Sequence, residues 1–213
     1  MKALLVAIAF LRMDVETGAV TEREWPDAEE VVAIGSLAKP FVALAYAEGH
    51  GYRYPRVACK AGACWLPRGH GVVGVEDAVA QSCNVYFAAL RREVPGHVLE
   101  STARRFGLTD VDWARPEAVS GVYGGLVKGG GEPGVGEVVA GMRRAAAQGT
   151  AKLVGRDVLA KTGTASCGHV PKGAGDGYAV VLYPAVGVRT AVLVRVHGRP
   201  GSRGGGEAGR LLR

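Results

Sequence analysis

Long apolar runs are absent from this sequence. No hydrophobic stretch approaches the roughly 18–20 residues that a membrane-spanning helix requires, so no transmembrane segment is encoded in these 213 residues. Collagen-like G-X-Y repeats, internal repeats and the motifs of nucleic-acid-binding proteins are also missing. Hydrophobic residues make up 48% and charged residues 22%, a balance that excludes disordered chains and coiled coils. These observations predict a globular protein with no nucleic-acid partner.

Glycine is abundant, with 33 residues, about twice the usual fraction of ~7%. The glycines cluster at 121–136 and 198–209, and we expect both segments to be flexible loops. The net charge of +6 fits an anionic partner or a genome rich in arginine codons. Because no run of basic residues exceeds two, we favour the second interpretation.

The apolar pattern predicts a hairpin, then a block of helices, then three strands. The expected strands are 4–13, 19–24, 157–165, 178–184 and 189–197. The expected helices are 36–48, 75–80, 84–94, 95–106 and 135–148, with a last one beginning near 209. The segments 50–74 and 107–134 are expected to be mainly loops.

This order of elements predicts an α+β fold. An antiparallel sheet is built from both chain ends, is flanked by helices, and carries an inserted helical subdomain. We expect one domain over 1–213, with 1–35 and 150–213 as the sheet region and 36–149 as the mainly helical region. The apolar run near the first residue leads directly into charged residues rather than a cleavage site. We therefore interpret it as a strand, with no signal peptide or anchor in this chain.

Three short motifs occur in a fixed order. Ser36-Leu37-Ala38-Lys39 is S-x-x-K at a predicted helix start, and Ser82-Cys83-Asn84 is S-x-N at another. Lys161-Thr162-Gly163-Thr164 is K-T-G-T on a predicted strand. Each motif alone is weak, but the ordered set is the signature of penicillin-binding proteins and class A β-lactamases.

The residue types suit acyl transfer through a serine. A hydroxyl is a poor nucleophile without a base, and Lys39 shares a helix face with Ser36. A lysine acts as a base only when its pKa falls, and burial together with the charge of Lys161 would lower it. Backbone N–H groups at Ser36 and Thr164 would form an oxyanion hole.

The remaining motif residues have roles in the same chemistry. Ser82 would relay a proton to the leaving amine, and Asn84 would hold the substrate amide. Lys161 and the hydroxyls of Thr162 and Thr164, around Gly163, would bind a terminal carboxylate.

The resemblance to one family extends beyond these motifs. Gly35-Ser36-Leu37-Ala38-Lys39-Pro40-Phe41 resembles the nucleophile segment of monofunctional, class B penicillin-binding proteins of the penicilloyl-serine transferase superfamily. Gly69-His70-Gly71 followed by Ser82-Cys83-Asn84-Val85-Tyr86-Phe87 resembles their second-motif segment. Gly149-Thr150-Ala151 before Lys161 is also characteristic of them.

The resemblance implies a compact version of the β-lactamase/transpeptidase-like fold. It implies D,D-transpeptidase or carboxypeptidase chemistry on D-Ala-D-Ala stem peptides of peptidoglycan, through an acyl-serine intermediate that β-lactams also form. The implied partners are stem peptides, β-lactams and cell-wall synthesis proteins, and the implied location is extracytoplasmic or periplasmic.

Two other functions remain open. A serine β-lactamase of class A would use a glutamate in an E-x-x-L-N segment, and none is found here. Class D β-lactamases resemble this fold but have an apolar residue where Asn84 stands. A catalytically idle module that recognises β-lactams or peptidoglycan is the third candidate.

Four metal-binding residue types follow the pattern C-x4-C-x5-H-x12-C: Cys59, Cys64, His70 and Cys83. Three thiols and an imidazole suit tetrahedral zinc, whereas an extracytoplasmic location would favour a Cys59–Cys64 disulfide. Cys167 lies outside this group.

Some elongation-type class B penicillin-binding proteins resemble this pattern, which implies zinc ligation by His70, Cys83 and Cys64. Cys59 has no clear match in the family. Both the zinc and the disulfide remain open, and the chemistry expected at Ser36 needs no metal, so a zinc would be structural.

Overall fold

The strands come from both halves of the chain, and the helices lie mainly between them. The computed structural model describes residues 8–27, 29–155, 157–166 and 175–212. Within these ranges the strands are β1 (Ile8–Asp14), β2 (Val20–Glu24), β3 (Val32–Ala33), β4 (Val57–Cys59), β5 (Gly71–Val73), β6 (Trp113–Ala114), β7 (Leu159–Ala165), β8 (Asp176–Tyr183) and β9 (Thr190–Val196). The α-helices are α1 (Lys39–Gly49), α2 (Val75–Ala80), α3 (Asn84–Glu93), α4 (Gly96–Arg105), α5 (Pro116–Lys128), α6 (Val135–Gln148) and α7 (Gly201–Leu211).

Five strands form one antiparallel sheet in the order β2-β1-β9-β8-β7. The chain ends meet where β1 pairs with β9, with Ile8 opposite Val196 and Asp14 opposite Thr190. This confirms the predicted α+β class and the antiparallel sheet built from both chain ends. At one border of the sheet β7 pairs with β8, and no other strand of the described residues covers its second edge, so the third motif lies at an open edge in this part of the chain.

The sheet is covered on both faces. On β9, Ala191 and Leu193 belong to the core cluster that includes α1, α3 and α5. Val192 and Val194 alternate with them and pack in a second cluster with Ala208 of α7. Side chains alternate across a strand, so a central strand buried on both faces is apolar throughout. This explains why the apolar segment of β9 predicts a strand.

One helix occupies a segment expected to be loop. Within 107–134, α5 begins at Pro116, a residue well suited to the first helical turn. Its glycines permit close packing: a Cβ on Gly124 would lie 3.4 Å from the Val15 side chain, and one on Gly125 would lie 3.3 Å from the Phe106 carbonyl oxygen. The expectation of a flexible loop was therefore wrong for this part of the first glycine cluster.

The second glycine cluster is also helical, since α7 spans Gly201–Leu211. A Cβ on Gly201 would lie 2.3 Å from the carbonyl oxygen of Gly163, and one on Gly209 would lie 2.5 Å from that of Leu153. The glycines let this helix approach the sheet backbone more closely than any side chain would allow. The sequence prediction of a loop, with a helix only from about 209, was wrong for this reason.

This packing predicts opposite effects for two alanine substitutions in the same helix. A Cβ on Gly204 would lie 2.9 Å from the Tyr178 carbonyl carbon, so Gly204→Ala should lower the free energy of unfolding by about 1–3 kcal/mol. Gly206 has only the end of the Leu153 side chain nearby, at 3.8 Å. Gly206→Ala should therefore raise stability by about 0.5–1 kcal/mol through helix propensity. Urea unfolding of both variants measures this, and equal shifts of either sign would contradict the packing account.

The remaining differences are local. Residues 50–74 are not wholly loop, since β4 and β5 pair antiparallel with Cys59 opposite Gly71. The predicted first strand began at residue 4, and its first residues lie outside the described ranges. Among the helices of the described residues, none is long and apolar enough to cross a membrane.

Candidate active site and cysteine cluster

The first motif forms a tight turn before α1. Gly35–Ala38 is a 3-10 helix, and the N–H of Lys39 donates to the Ser36 carbonyl oxygen at its end. In such a turn residues i and i+3 lie directly above one another, so Ser36 and Lys39 are aligned along the turn. The buried Tyr123 hydroxyl donates to the Leu37 carbonyl oxygen at 2.8 Å, which fixes the turn against α5. The expected pairing of Ser36 with Lys39 on one face is thus achieved by a 3-10 turn, although α1 itself begins only at Lys39.

Gly35 allows this turn to lie against the open edge of β7. Its φ is +52°, and a Cβ there would lie 2.4 Å from the Thr164 carbonyl oxygen. Only glycine is compatible with both conditions. The first motif is therefore held directly beside the third.

The second motif follows α2 through a left-handed residue. Ser82 has φ +49°, a conformation that costs a non-glycine residue about 1 kcal/mol or more. The N–H of Ser82 donates to Val79 and that of Cys83 to Ala78, so the helix end imposes the conformation. Such strain is common at functional sites, and it directs the Ser82 hydroxyl into the centre of the cluster described next.

Two lysine amines meet at Ser82. Lys39 Nζ donates to the Ser82 carbonyl oxygen at 2.8 Å, to its Oγ at 3.2 Å and to Asn84 Oδ1 at 2.6 Å. Lys161 Nζ donates to Ser82 Oγ at 2.9 Å and to the Thr162 carbonyl oxygen at 2.6 Å. The structure thus brings residues of all three motifs together, with one hydroxyl between two amines.

Burial lowers the pKa of both lysines. For Lys39, desolvation lowers the pKa to about 8, and the nearby thiols of Cys64 and Cys83 oppose the shift. Lys161 is fully buried, and desolvation followed by the charge of Lys39 lowers its pKa well below the usual value. The sequence hypothesis assigned the charge effect to Lys161 acting on Lys39. The two amines lie on either side of the Ser82 hydroxyl, so a charge on one disfavours a charge on the other.

The hydroxyl of the nucleophile candidate has no hydrogen-bond partner among the described residues. Over the described stretches of chain, the half-buried Ser36 hydroxyl donates to and accepts from no protein group. The Lys39 amine is held instead by Ser82 and Asn84. Ser36 is therefore placed one turn from a lysine that is already fixed and partly desolvated.

The third motif presents its two threonines differently. The exposed Thr164 accepts the N–H of Gly201 at 2.9 Å, which leaves its own hydroxyl proton available to a ligand. Thr162 is buried, and its hydroxyl lies 2.6 Å from that of Thr150. Gly163 faces the Leu37 side chain, which a Cβ would approach to 3.0 Å. Thr164 is accordingly the threonine of this motif that is best placed for a carboxylate.

Thr150 connects the second and third motifs, a role that the sequence analysis missed. Besides its contact with Thr162, its N–H donates to the Ala80 carbonyl oxygen at 3.1 Å, and its hydroxyl donates to the same atom at 3.3 Å. Ala80 ends α2, two residues before Ser82. The family-like Gly149-Thr150-Ala151 segment was the available signal, but no role could be read from it.

The four candidate metal ligands lie together. The ligand atoms of Cys59, Cys64, His70 and Cys83 are all within 4.8 Å of one another. Cys59 Sγ lies 3.3 Å from His70 Nδ1, and His70 Nε2 is buried without a hydrogen-bond partner in the described part of the chain. Cys59, Cys64 and Cys83 are free thiols. Cys167 lies outside the described residues.

The cluster is attached directly to the second motif. Cys83 stands between Ser82 and Asn84, whose side chains contact Lys39, while its own thiol joins the cluster. The Asn84 N–H donates to Cys64 Sγ at 3.3 Å. Burial raises the pKa of the Cys83 thiol to about 12. Burial also acts to raise the pKa of Cys64, but several backbone N–H donors led by that of Asn84 lower it overall.

These residues fit a zinc ion. Three thiols and one imidazole whose ligand atoms lie within 4.8 Å of one another are the donor set of a closed tetrahedral site, with Zn–S near ~2.3 Å and Zn–N near ~2.0–2.1 Å. His70 turns Nδ1 toward the Cys59 thiol, at 3.3 Å, as a ligand of a shared ion would.

Comparison with known proteins places the fold. No family model and no curated protein sequence matches the chain. Among solved structures, PBP2 of Pseudomonas aeruginosa superimposes with a TM-score of 0.80 at 18% identity over 97% of this chain and 69% of that one. Helicobacter pylori PBP2, solved with MreC, gives 0.82 at 17% identity over 97% and 60%.

The D,D-transpeptidase domain of a peptidoglycan glycosyltransferase from Eggerthella lenta gives a TM-score of 0.78 at 15% identity, over 98% of this chain and 78% of that one. The chain therefore has the fold of penicillin-binding-protein transpeptidase domains, as the sequence resemblance implied. It spans less than two thirds of the Helicobacter pylori PBP2 chain.

Proposed function

We propose that this chain is a penicillin-binding serine acyltransferase that acts as a D,D-transpeptidase or carboxypeptidase on D-Ala-D-Ala stem peptides. The observation that carries the proposal is the meeting of Lys39 and Lys161 at Ser82, beside the Ser36 turn. The shared fold supports it independently of the motifs.

Acylation begins with proton transfer from Ser36 to the neutral amine of Lys39. The Ser36 oxygen then attacks the carbonyl carbon of the penultimate D-Ala and forms a tetrahedral oxyanion. The N–H groups of Ser36 and Thr164 stabilise it. The closeness of the Thr164 carbonyl to Gly35 supports this role, since the N–H and C=O of one strand residue point to the same edge.

Collapse of the intermediate breaks the peptide C–N bond. Ser82 donates its proton to the departing D-Ala amine and regains one from the protonated Lys39, with which it already shares a hydrogen bond. The exposed Thr164 hydroxyl binds the terminal carboxylate, and the buried Lys161 positions the Ser82 hydroxyl beside it, with Gly163 and Thr162 shaping the strand. Asn84 holds the peptide amide. An acceptor amine or a water then releases the acyl group from Ser36.

Three assays separate the candidate functions. Stable labelling of Ser36 by a fluorescent penicillin is expected, together with release of D-Ala from an acyl-D-Ala-D-Ala peptide or thioester. Rapid turnover of a chromogenic cephalosporin would instead identify a β-lactamase. Labelling without any release of D-Ala would identify an idle recognition module.

We further propose that Cys59, Cys64, His70 and Cys83 bind one structural zinc. When bound, the ion would supply folding free energy and no step of the acyl transfer. Its role would be to hold the segment 59–70 against the second motif, through Cys83 and through the contact of Cys64 with the Asn84 N–H.

Metal analysis tests the zinc site. About one zinc per chain is expected in protein purified without chelators, and His70→Ala should lose it, whereas the exposed His97→Ala should retain it. Chelation should slow penicillin acylation and lower the melting midpoint, by ~2–4 °C for each kcal/mol lost. A Cys59–Cys64 disulfide, or free thiols without metal, would contradict the site and leave the serine chemistry untouched.

The structural neighbours suggest a cellular location and partner proteins. Helicobacter pylori PBP2 has been solved in complex with MreC, and another neighbour belongs to a peptidoglycan synthase complex. We propose that this chain likewise acts outside the cytoplasm with cell-wall synthesis proteins.

A further inference from the structure

We propose that the hairpin of β4 and β5 forms a second substrate surface that binds carboxylate-bearing peptide segments beside the catalytic cleft. We call residues 52–73 the cysteine hairpin. The inference rests on the proposed function, since the peptide is the one whose D-Ala-D-Ala end reaches Ser36. The charge, the position and an exposed indole of this hairpin support it.

The hairpin carries charge of one sign only. Between Glu48 and Glu76 the chain contains no Asp or Glu. The basic residues of the same stretch are all exposed, and none pairs with a carboxylate of the described residues: Arg53, Arg56, Lys60 and Arg68. Elsewhere in the molecule several exposed arginines do have acidic partners, as Arg104 and Arg115 do. The hairpin is therefore a local source of positive potential.

Lys60 follows β4 and Arg68 precedes β5, so the two cations come from opposite arms of the hairpin, at a point where the arms lie close together. The His70 N–H donates to the Cys59 carbonyl oxygen at 3.1 Å. A Cβ on Gly69 would lie 2.6 Å from the Lys60 carbonyl carbon. The backbone of Lys60 is therefore in contact with that of Gly69, the residue next to Arg68. This close approach holds both side chains at the base of one tip.

The tip lies along the second motif. Cys64 Sγ accepts the Asn84 N–H at 3.3 Å, and Trp65 Nε1 donates to the Gln81 carbonyl oxygen at 3.1 Å. These contacts flank Ser82 on both sides. A peptide whose amide is held by Asn84 therefore leaves the cleft next to this tip.

Trp65 offers a rigid apolar surface there. Its side chain is 50% exposed although its polar end is bonded and its ring meets that of His70 edge-on, with centroids 5.4 Å apart. An indole fixed in this way loses little conformational freedom when a ligand packs on it, and such residues are frequent at binding sites. An exposed aromatic face on a hairpin whose only charged side chains are cations suits a peptide that combines aliphatic parts with carboxylates, as a stem peptide does upstream of D-Ala-D-Ala.

Peptide competition against fluorescent penicillin tests this surface. The probes are two acyl-D-Ala-D-Ala peptides that carry glutamate or glutamine two positions before the D-Ala-D-Ala. The glutamate peptide should protect Ser36 at about 5- to 10-fold lower concentration at low salt, and should lose this advantage near ~0.5 M NaCl. The doubly substituted Lys60→Glu, Arg68→Glu chain should lose the preference while its penicillin labelling and metal content stay unchanged.

A matched control carries the same change of charge far from the cleft. Lys128 and Arg189 are exposed near the opposite end of the sheet, and Lys128→Glu, Arg189→Glu should keep the preference. If the hairpin reversal prevents folding, Lys60→Gln with Arg68→Gln should still reduce the preference about threefold. Equal competition by both peptides in the wild type, or a preference that survives these hairpin substitutions, would overturn the proposal. Absence of penicillin labelling in the wild type would instead overturn the proposed function.

Discussion

Ser36→Ala is expected to abolish covalent labelling by penicillin while leaving the fold intact. The hydroxyl makes no hydrogen bond within the described chain, so its removal breaks no contact there. Because no hydrogen bond is lost, the change in stability should stay within about 0.5 kcal/mol. Gel fluorescence with a labelled penicillin measures the loss, and thermal unfolding checks the fold.

Ser101→Ala is the matched control for this variant. Ser101 is exposed on α4, where its hydroxyl donates only to the Val98 carbonyl oxygen, so labelling should be normal. An adduct that persists in Ser36→Ala would show that another nucleophile reacts.

The second large effect is expected at Lys39. Removal of a general base lowers a rate by roughly 10²–10⁴-fold, and Lys39→Ala should lose acylation by at least this factor. Lys39→Arg should not restore it, because a guanidinium does not give up its proton at working pH. The acylation rate of each variant, measured with a fluorescent penicillin, gives the factor directly. Lys128→Arg, an exposed change on α5, should acylate normally.

The pH profile gives this role its own signature. Because burial lowers the pKa of Lys39 to about 8, the neutral base form becomes dominant as the pH rises through that value. The acylation rate of the wild type should therefore increase between about pH 7 and 9. A flat profile, or wild-type rates in Lys39→Arg, would contradict the assignment of Lys39 as the base.

The strands of the sheet could be predicted because their burial in the structure matches the apolar pattern of their sequence. The central strand β9 is buried on both faces and therefore apolar over residues 191–194, and β7 carries a recognisable motif. The helices α5 and α7 could not be predicted from the sequence, because glycine has a low helix propensity and is typical of loops. The glycines are needed for long-range packing, as the contact of Gly201 with the Gly163 backbone shows. No local pattern reports such a contact.

The candidate site was predictable in its residue types but not in its conformations. The motif spacing indicated Ser36, Lys39, Ser82 and Lys161, and the structure brings the two lysines to Ser82. The left-handed conformation of Ser82 and the bridge through Thr150 arise from the helix end and from strand packing. Similarly, the cysteine spacing indicated a cluster, whereas its attachment to Asn84 through Cys64 depends on tertiary structure.

Mass spectrometry of the intact chain with benzylpenicillin, followed by peptide mapping, tests the central claim most directly. One penicilloyl group per chain is expected, and it should map to the peptide that contains Ser36. The adduct should persist after free drug is removed, because no deacylating glutamate motif is found in the sequence. Absence of an adduct, or an adduct on any residue other than Ser36, would contradict the account.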